Sequence, residues 1–464
     1  MLLEECEMMG YSDTVAAVST PRGKGGIAVI RISGEDTAAV LSRVFRPAKR
    51  SPVEHPRRAV FGEILDDTGA VVDEGLCLFF PAPASFTGED VAEISCHGGA
   101  LLTEVVLSAV LSAGARAAGA GEFTRRALMN GKMTLSEAEA LGALLDSRTT
   151  GQLTLARGGM AGKLSAAVER SYSRLSLLLA DAYAKIDFPD EDLNTMGREE
   201  LTEAFHEVLA DMRALAATYR TGHAVAEGIK TVICGSVNAG KSTLYNALVG
   251  RDAAIVTDVA GTTRDILSET VALGAVTLRL FDTAGLRETA DVVEGIGVTR
   301  AKEAMEEAEL ILAVVDASRP ATPEEVRFLD DLKGRSDSVV VVLNKCDRAV
   351  VFDTALLADF KHVLRLSAME GEIAALRETL EAMYLSDDIS LSDDAVVSNA
   401  RQYAALCRGA AALEQTVTAL SSGVPLDAAC MDAELAMSAL GEVDGRRVEE
   451  QILTDLFSHF CVGK

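Results

Sequence analysis

The chain of 464 residues is too long for one ordinary hydrophobic core, so we expect two to four domains. With 48% apolar and 25% charged residues it has a globular composition, and no apolar run approaches the length of a membrane span. The formal net charge of −26 argues against broad non-specific affinity for nucleic acid. The eight cysteines form no CxxC pair and residues 1–12 lack a signal-peptide pattern, so we expect a cytoplasmic protein with reduced thiols.

The first part of the chain, about residues 13–126, has the pattern of an α+β domain. Proline and glycine pairs separate its predicted elements. Strands are predicted at 27–32, 59–65, 71–80 and 91–95, and a helix at 101–113.

The densest cationic stretch of the chain lies within this part. It comprises Arg43, Arg46, Lys49, Arg50, Arg57 and Arg58. A solvated loop is the simpler interpretation, and a local contact with RNA is the alternative. Because the chain is so acidic, any RNA contact must use local basic surface of this kind or a partner.

From residue 136 to about residue 221 the pattern is helical. Phe188 and the proline after it interrupt this run, which resumes at 199–219. More helices are predicted at 398–460. We expect both helical parts to pack into one bundle around an inserted domain, since the two ends of the inserted fold lie near one another.

The inserted segment opens with a phosphate-binding loop, GSVNAGKS at 235–242, between an apolar strand and a segment of helical spacing. Its glycines let backbone N–H groups turn inward on phosphates. Lys241 is expected to neutralise charge on the β- and γ-phosphates, and Ser242 to offer its hydroxyl to Mg²⁺. A single match of this kind arises by chance at an appreciable rate, so the next motifs carry weight.

Two further motifs complete the predicted phosphate and metal site. DTAG at 282–285 ends an apolar strand, where Asp282 can hold Mg²⁺ through water and Gly285 can donate its N–H to the γ-phosphate. Within GTTRD at 261–265, Thr263 is placed to be the second hydroxyl ligand of Mg²⁺.

A guanine site is predicted from NKCD at 344–347 and SAM at 367–369. NKCD follows a β-branched run typical of a buried parallel strand. The Asp347 oxygens can accept the N1–H and N2–H of guanine, whereas adenine has no donor at N1 and would leave a carboxylate unpaired. The backbone N–H groups of SAM are expected to support the base.

The residue after DTAG is Leu286, which cannot orient an attacking water as the Gln of many small GTPases does. Another group must therefore orient the water and stabilise the transition state. The side-chain oxygen of Asn238, with backbone carbonyls from 257–262, can hold a monovalent cation, so we expect K⁺ dependence. The alternative is that Asn238 only braces the loop.

The flanks of this domain carry a resemblance to a known family. The matching segments are DTVAAVSTP at 13–21, GKGGI at 23–27, RISG at 31–34, FTGED at 86–90, CHGG at 96–99, GEFT at 121–124, NGK at 130–132, EAEA at 137–140, IDFP at 186–189 and CVGK at 461–464. They resemble the tRNA-modification GTPases of the MnmE (TrmE) family over nearly the whole chain from Asp13 onward.

The resemblance implies a multidomain α/β chain with a discontinuous helical domain and an inserted Ras-like P-loop GTPase domain. The expected parts are an N-terminal α+β folate-binding and dimerisation domain at 1–130, helical parts at 131–226 and 387–464, and the GTPase domain at 227–386. It also implies a cytoplasmic homodimer that forms a heterotetramer with the FAD-containing partner MnmG (GidA).

The implied function is K⁺-dependent GTP hydrolysis that powers or gates modification of tRNA. With its partner, the family adds an aminomethyl or carboxymethylaminomethyl group to carbon 5 of the wobble uridine. The one-carbon unit comes from a tetrahydrofolate, as the 5,10-methylene or 5-formyl derivative. The alternatives are a ribosome-assembly GTPase with the same type of GTPase domain and a purely regulatory switch.

The resemblance also implies roles for individual residues. Glu294 falls on the catalytic glutamate that orients water, Arg264 and Arg287 would stabilise the paired state, and Cys461 is either a catalytic thiol or a packing residue. The implied K⁺ ligands are Asn238, Thr257, Val259 and Thr262; the Mg²⁺ ligands are Ser242 and Thr263; the folate site takes Arg31, Glu93, Lys132 and Lys464. The nucleotide site comprises Asn238, Ala239, Gly240, Lys241, Ser242, Thr243, Thr257, Asp258, Val259, Ala260, Gly261, Thr262, Thr263, Asp282, Thr283, Ala284, Gly285, Asn344, Lys345, Asp347, Ser367, Ala368 and Met369.

Overall fold

The computed structural model describes residues 13–21, 23–188, 195–250, 268–281, 304–386, 388–446 and 450–463. The chain divides into two compact units: the first contains residues up to Gly142 and those from Asp444 onward, and the second spans Ala143–Val443. The four-part division expected from the sequence is finer than these two units and stays a prediction.

The first unit is built on a mostly antiparallel sheet of seven strands, in the order β3-β4-β5-β6-β2-β1-β7. The strands are β1 Val15–Val18, β2 Ile27–Ser33, β3 Phe45–Pro47, β4 Val60–Leu65, β5 Val71–Phe80, β6 Val91–His97 and β7 Arg116–Ala117. Helices α1 (Thr37–Val44) and α2 (Ala100–Ser112) supply apolar side chains to the core of this unit.

The alternation of side chains in β2 separates a core face of this sheet from a polar one. Ile30 and Ile32 are fully buried with the helix residues Val40 and Val106, whereas Arg31 lies on the opposite face. The register of β2 against β6 places Arg31 directly opposite Glu93. Two residues expected to share a ligand thus become cross-strand neighbours.

The remaining helices of the first unit are α3 (Glu122–Met129), the first part of α4 (Leu135–Asp146), and a helix near the C-terminus at Glu450–Ser458, numbered α14 below. Leu453 and Phe457 of α14 pack on Leu135 and Ala138 of α4. This packing brings the C-terminal tail to the sheet, since Val462 forms a β-bridge with Ala120. The helices predicted at 398–460 are therefore divided between the two units.

The second unit contains a helical bundle. Its helices are α5 (Thr150–Met160), α6 (Lys163–Asp187), α7 (Arg198–Ala217), α8 (Tyr219–Ala226), α12 (Ala400–Ser421) and α13 (Leu426–Asp444). A shared core joins helices from before and after the inserted segment, with Leu175, Phe205, Leu406 and Leu440 fully buried in it. The expected packing of the two helical parts against each other is confirmed for these helices.

The second unit also contains a six-stranded sheet in the order β13-β12-β11-β8-β10-β9, parallel except for the β9–β10 pair. The strands are β8 Ile229–Gly235, β9 Ser268–Leu273, β10 Val276–Phe281, β11 Leu310–Asp316, β12 Val339–Asn344 and β13 His362–Arg365. The flanking helices are α9 Lys241–Val249, α10 Pro323–Leu332 and α11 Ala374–Tyr384, with 3-10 turns at Lys333–Ser338 and Thr354–Leu357.

Both faces of this sheet are covered, which explains the unbroken apolar runs in its sequence. Leu312 and Val342 belong to one buried cluster, while the adjacent residues Ala313 and Val341 belong to the cluster on the other face. In a parallel sheet such strands end at one edge, so the loops after β8, β11, β12 and β13 gather there. That edge carries the motifs for nucleotide binding.

Candidate nucleotide-binding site

The phosphate-binding loop connects β8 to α9, as its sequence predicts. Gly235 has a φ of +144° and Gly240 a φ of +101°. A Cβ at Gly235 would collide with the backbone oxygen of Val314, and a Cβ at Gly240 would collide with the side-chain amide of Asn344. Both positions therefore require glycine for conformation and for space.

Lys241 lies folded over this loop. Its Nζ donates to the backbone oxygens of Gly235 at 2.9 Å and Ser236 at 2.8 Å. Burial lowers the pKa of the ammonium group from its ordinary value. Ser242 and Thr243 follow in the first turn of α9, where unpaired backbone N–H groups favour anions. The loop and the helix start together form a phosphate cradle.

Asn344, the last residue of β12, joins the phosphate loop to the predicted guanine loop. Its Nδ2 donates to the backbone oxygen of Ala239 at 2.9 Å, and its Oδ1 accepts from the backbone N–H of Ala368 at 2.9 Å. Asn344 is 2% exposed. One amide side chain therefore fixes the separation of the two loops that would hold the phosphates and the base.

Asp347 is oriented by Ser367, whose hydroxyl donates to Oδ1 at 2.9 Å. The side chain of Asp347 is 27% exposed, and its Oδ2 lies 3.8 Å from Nε of the exposed Arg348. Ala368 is buried beside it, while Met369 is exposed at the rim. This arrangement can present an acceptor to the N–H groups of a purine.

Lys345 is in the left-handed region, with a φ of +67°. Its Nζ donates at 2.6 Å to the backbone oxygen of Asn238 and at 2.6 Å to Oδ2 of Asp316. Burial raises the pKa of Asp316, but hydrogen bonds from Lys345 and Ser318 outweigh it and lower that pKa to about 2. Lys345 thus couples the guanine motif to the centre of the phosphate loop.

Asp316 belongs to this site although the sequence motifs did not predict it. The signal was available, because Asp316 ends a buried apolar strand at the same sheet edge as Asn344. A polar group behind Ser236 was not predicted either. The hydroxyl of Ser236 donates to Glu325, which pairs through both oxygens with Arg319 at 2.8 and 2.9 Å.

A second candidate site lies on the polar face of the sheet in the first unit. Arg31 donates to Oε1 of Glu93 from Nε at 3.0 Å and from Nη2 at 2.8 Å. Its Nη1 donates to the backbone oxygen of Gly463 at 3.4 Å, and its guanidinium lies 5.6 Å from the ring centre of Phe123. The C-terminal tail is thereby held against the site residues predicted from the resemblance.

Lys132 and Cys461 are placed differently from this pair. Lys132 is exposed and donates from Nζ to the backbone oxygen of Pro83 at 2.9 Å. Cys461 is exposed, and its backbone oxygen accepts from Gly121 at 3.4 Å. The structure thus joins Arg31, Glu93 and the tail, whereas Lys132 binds a neighbouring loop.

Comparison with known proteins decides the family. Residues 14–132 match the family model described as the GTP-binding protein TrmE N-terminus, and residues 135–461 match the MnmE helical domain. The tRNA modification GTPase MnmE of Thermoanaerobacter sp. (strain X514) is 38% identical over 97% of this chain and 99% of that protein. The protein of the same description from Lactiplantibacillus plantarum is 40% identical over 97% and 98%.

The chain belongs to the MnmE family. It is accordingly a GTPase. Within the described ranges, every helix is too short or too polar to cross a lipid bilayer.

Several residues assigned from the MnmE resemblance lie outside the described residues. They are Thr257, Asp258, Val259, Ala260, Gly261, Thr262, Thr263, Arg264, Asp282, Thr283, Ala284, Gly285, Arg287, Glu294 and Lys464. Their roles stay predictions. The described half of the site contains the phosphate loop and the guanine loops.

Proposed function

We propose that this chain is a K⁺-dependent GTP hydrolase that acts in tRNA modification. With an FAD-containing MnmG partner, it would modify carbon 5 of the wobble uridine of certain tRNAs in the cytoplasm, using a tetrahydrofolate one-carbon unit. The observation that carries the GTPase part is the bridge from Asn344 to Ala239 and Ala368, which joins the phosphate and base loops. The tRNA part rests on the relatives described as tRNA modification GTPases.

Asn238 fits the role of a cation ligand. Its backbone has a φ of +61° and its carbonyl is held by Lys345, so the loop is fixed without help from the Asn238 side chain. Within the described residues that side chain is exposed and makes no hydrogen bond. This favours a ligand over the bracing alternative.

The other cation ligands would be backbone oxygens of Thr257 and Val259, and Thr262. A bound K⁺ would supply positive charge near the β–γ bridging oxygen, and Mg²⁺ would take the hydroxyls of Ser242 and Thr263. Two residues of the chain would supply the remaining roles. Lys241 would balance phosphate charge, and Glu294 would orient the attacking water, since Leu286 cannot.

The first unit would hold the folate. Glu93 can accept from the N–H groups of a pterin ring, and Arg31 or Lys132 can pair with a carboxylate of the glutamate tail. Arg31 contacts Phe123 and Phe86, at 5.6 and 5.8 Å from their ring centres, so an aromatic ligand would find apolar surface there. Lys464 would add a cation, and Cys461 stays a candidate thiol. We propose that this unit also forms the homodimer.

The decisive test is GTP hydrolysis measured at equal ionic strength in K⁺ and in Na⁺. We expect strong activity only in K⁺, and equal rates in the two salts would overturn the cation assignment. Glu294→Ala should abolish turnover while nucleotide binding persists.

Calorimetry with 5-formyltetrahydrofolate on the full chain tests the folate site. Its binding would separate this function from that of a ribosome-assembly GTPase, and failure to bind would reject the folate assignment.

A further inference from the structure

The cationic stretch of the first unit runs from the last turn of α1 to the start of β4. We name the six residues Arg43, Arg46, Lys49, Arg50, Arg57 and Arg58 the basic surface, and all six are exposed. They lie within a segment, residues 43–63, that contains two carboxylates, Glu54 and Glu63, in a chain with a formal net charge of −26. Such a local reversal of charge calls for a physical explanation.

The loop that carries most of this surface is held to the sheet. The backbone N–H of Ala48 donates to the oxygen of Phe61 at 3.0 Å, and that of Arg57 donates to the oxygen of Phe79 at 2.8 Å. A hydrogen bond from His55 to the oxygen of Pro52, at 3.1 Å, closes a turn within the loop. The cations therefore project from a loop whose backbone is hydrogen-bonded to the sheet, and their exposure agrees with a solvated loop and with an RNA contact alike.

Most of these charges have no carboxylate partner in the described ranges. Arg46 pairs with Glu63 at 2.8 Å, while Arg43 and Arg57 donate to the backbone oxygens of Ala113 and Ala84. Arg50 contacts His55. Within the described residues, the side chains of Lys49 and Arg58 have no partner. The chain is rich in acidic residues, yet they do not neutralise most of these cations within the described residues. The surface is therefore available to an external anion.

Arg46, one residue of the basic surface, lies beside an exposed apolar strip on the polar face of the sheet, whereas Arg43 is on α1, which packs on the other face. Phe61 and Leu76 are opposite each other on β4 and β5, and they are 52% and 43% exposed. Arg46 is on this face too, since its partner Glu63 is two residues from Phe61. Cations beside an exposed aromatic ring are the combination that binds RNA, through phosphates and an unstacked base.

The register connects this face to the proposed folate site. Leu78 is opposite Glu93, and Glu93 is opposite Arg31, so all of them share the face that carries Phe61 and Leu76. Arg46 and Arg31 lie four strands apart in the sheet order, which is roughly 19 Å across the sheet at about 4.8 Å per strand, and the register offsets them by four residues along β5. RNA bound at Arg46 would therefore lie on the same sheet face as the proposed folate site.

We propose that the basic surface is where this chain contacts the phosphate backbone of its tRNA substrate. The inference rests on the proposed function in tRNA modification and adds the contact surface. The partner is a polyanion, because one of these six exposed cations has a carboxylate partner within the described residues, and such an excess of positive charge suits phosphates better than a mixed-charge protein surface.

The test uses the full chain and labelled total bacterial tRNA, with binding followed by fluorescence anisotropy over a series of NaCl concentrations at fixed K⁺. Lys49→Gln with Arg58→Gln removes two unpartnered cations. We expect affinity on the order of tenfold weaker, and a slope of log affinity against log salt that is smaller by about one to two. The matched control is Arg170→Gln with Arg327→Gln, which removes from the second unit two exposed cations that have no partner among the residues the structure describes, and it should bind tRNA as the unchanged chain does.

Three outcomes would overturn the proposal. Equal binding by the test and control variants would place the tRNA elsewhere on the chain. No binding by the unchanged chain at low salt would assign the contact to its partner. A change in sedimentation of the test variant with unchanged tRNA binding would make the surface a protein interface. GTP hydrolysis in K⁺ and Na⁺, measured on the same samples without tRNA, tests the proposed function separately and should not differ between the variants.

Discussion

The two candidate sites of this chain are supported by different kinds of interaction. In the second unit, hydrogen bonds join loops at one sheet edge. Asn344 bridges two loops, and Lys345 donates to both Asn238 and Asp316. In the first unit, a fully buried cation, Arg126, lies beneath the segments that resemble the family. Hydrogen bonds between loops fix the distance between the groups that bind a ligand. A buried charge instead determines whether the segments around it can pack together.

The Arg126 network illustrates the second kind. The Arg126 side chain is 0% exposed and pairs with Asp13 at 2.7 Å, Glu122 at 3.0 Å and Glu89 at 3.2 Å. Glu89 also accepts from the hydroxyl of Ser33 at 2.7 Å, next to β2. The network therefore connects the start of β1, the end of β2 and α3, which surround the Arg31 pair.

The largest expected effect is that of Arg126→Met. Removing the buried cation takes it away from Glu89, Asp13 and Glu122, of which the last two keep the partly exposed Arg116, and this should cost about 3–5 kcal/mol of unfolding free energy. Denaturant unfolding of the full chain measures it. The control is Arg46→Met, which breaks an exposed pair with Glu63 and should cost about 0–1 kcal/mol. Equal losses of unfolding free energy in the two variants would show that the buried network stabilises the fold no more than an exposed ion pair does.

Asn344→Ala should have the next largest effect, on nucleotide binding as well as on folding. It removes hydrogen bonds to Ala239 and Ala368 and leaves buried polar groups unsatisfied, at about 1–3 kcal/mol each. We expect GDP affinity to fall on the order of 10- to 100-fold, measured by calorimetry. Asn246→Ala, at an exposed position of α9, is the control. If the two variants bind GDP equally well, the bridge does not position the loops.

The difference between local patterns and long-range contacts explains which features could be predicted from the sequence. Strands predicted at 27–32, 59–65 and 71–80 are confirmed as β2, β4 and β5, because alternating burial leaves a local pattern. The phosphate loop was predictable for a similar reason, since its glycines and Lys241 lie within eight residues. The Arg126 network was not, because Asp13 and Arg126 are 113 residues apart and only the sheet brings them together.

Glu325→Gln tests the hydrogen bonds that connect Glu325 to Ser236 of the phosphate loop and to Arg319. Glu325 is 2% exposed, caps α10 through Thr322, and accepts from Ser236 and Arg319. The amide keeps the shape but removes the charge that Arg319 pairs with. We expect kcat/KM for GTP to fall by about 5- to 10-fold, which corresponds to about 1 kcal/mol, with little change in folding. The control is Glu324→Gln, one residue earlier and exposed, and a loss as large in that variant would contradict a role for these hydrogen bonds.

The smallest effect should come from a charged cluster at the junction of α8 and β11. Hydrogen bonds to Glu227 and Glu309 raise the pKa of His223 to about 9, against an ordinary value of 6.5. The protonated form is therefore favoured in the folded chain. Its contribution is fully present below about pH 6.5 and is lost as the pH rises through about 9.

His223→Gln should remove this pH dependence from the second unit. Both carboxylates are partly exposed, at 42% and 41%, so solvent screening should reduce the contribution to on the order of 1 kcal/mol. Thermal unfolding at pH 6 and pH 9 measures it: the unchanged chain should lose more stability between them than the variant. His206→Gln, at an exposed position of α7, is the control. If His223→Gln and the unchanged chain lose stability in parallel, the junction does not depend on the charge of His223, and polar ties alone hold the second unit at this point.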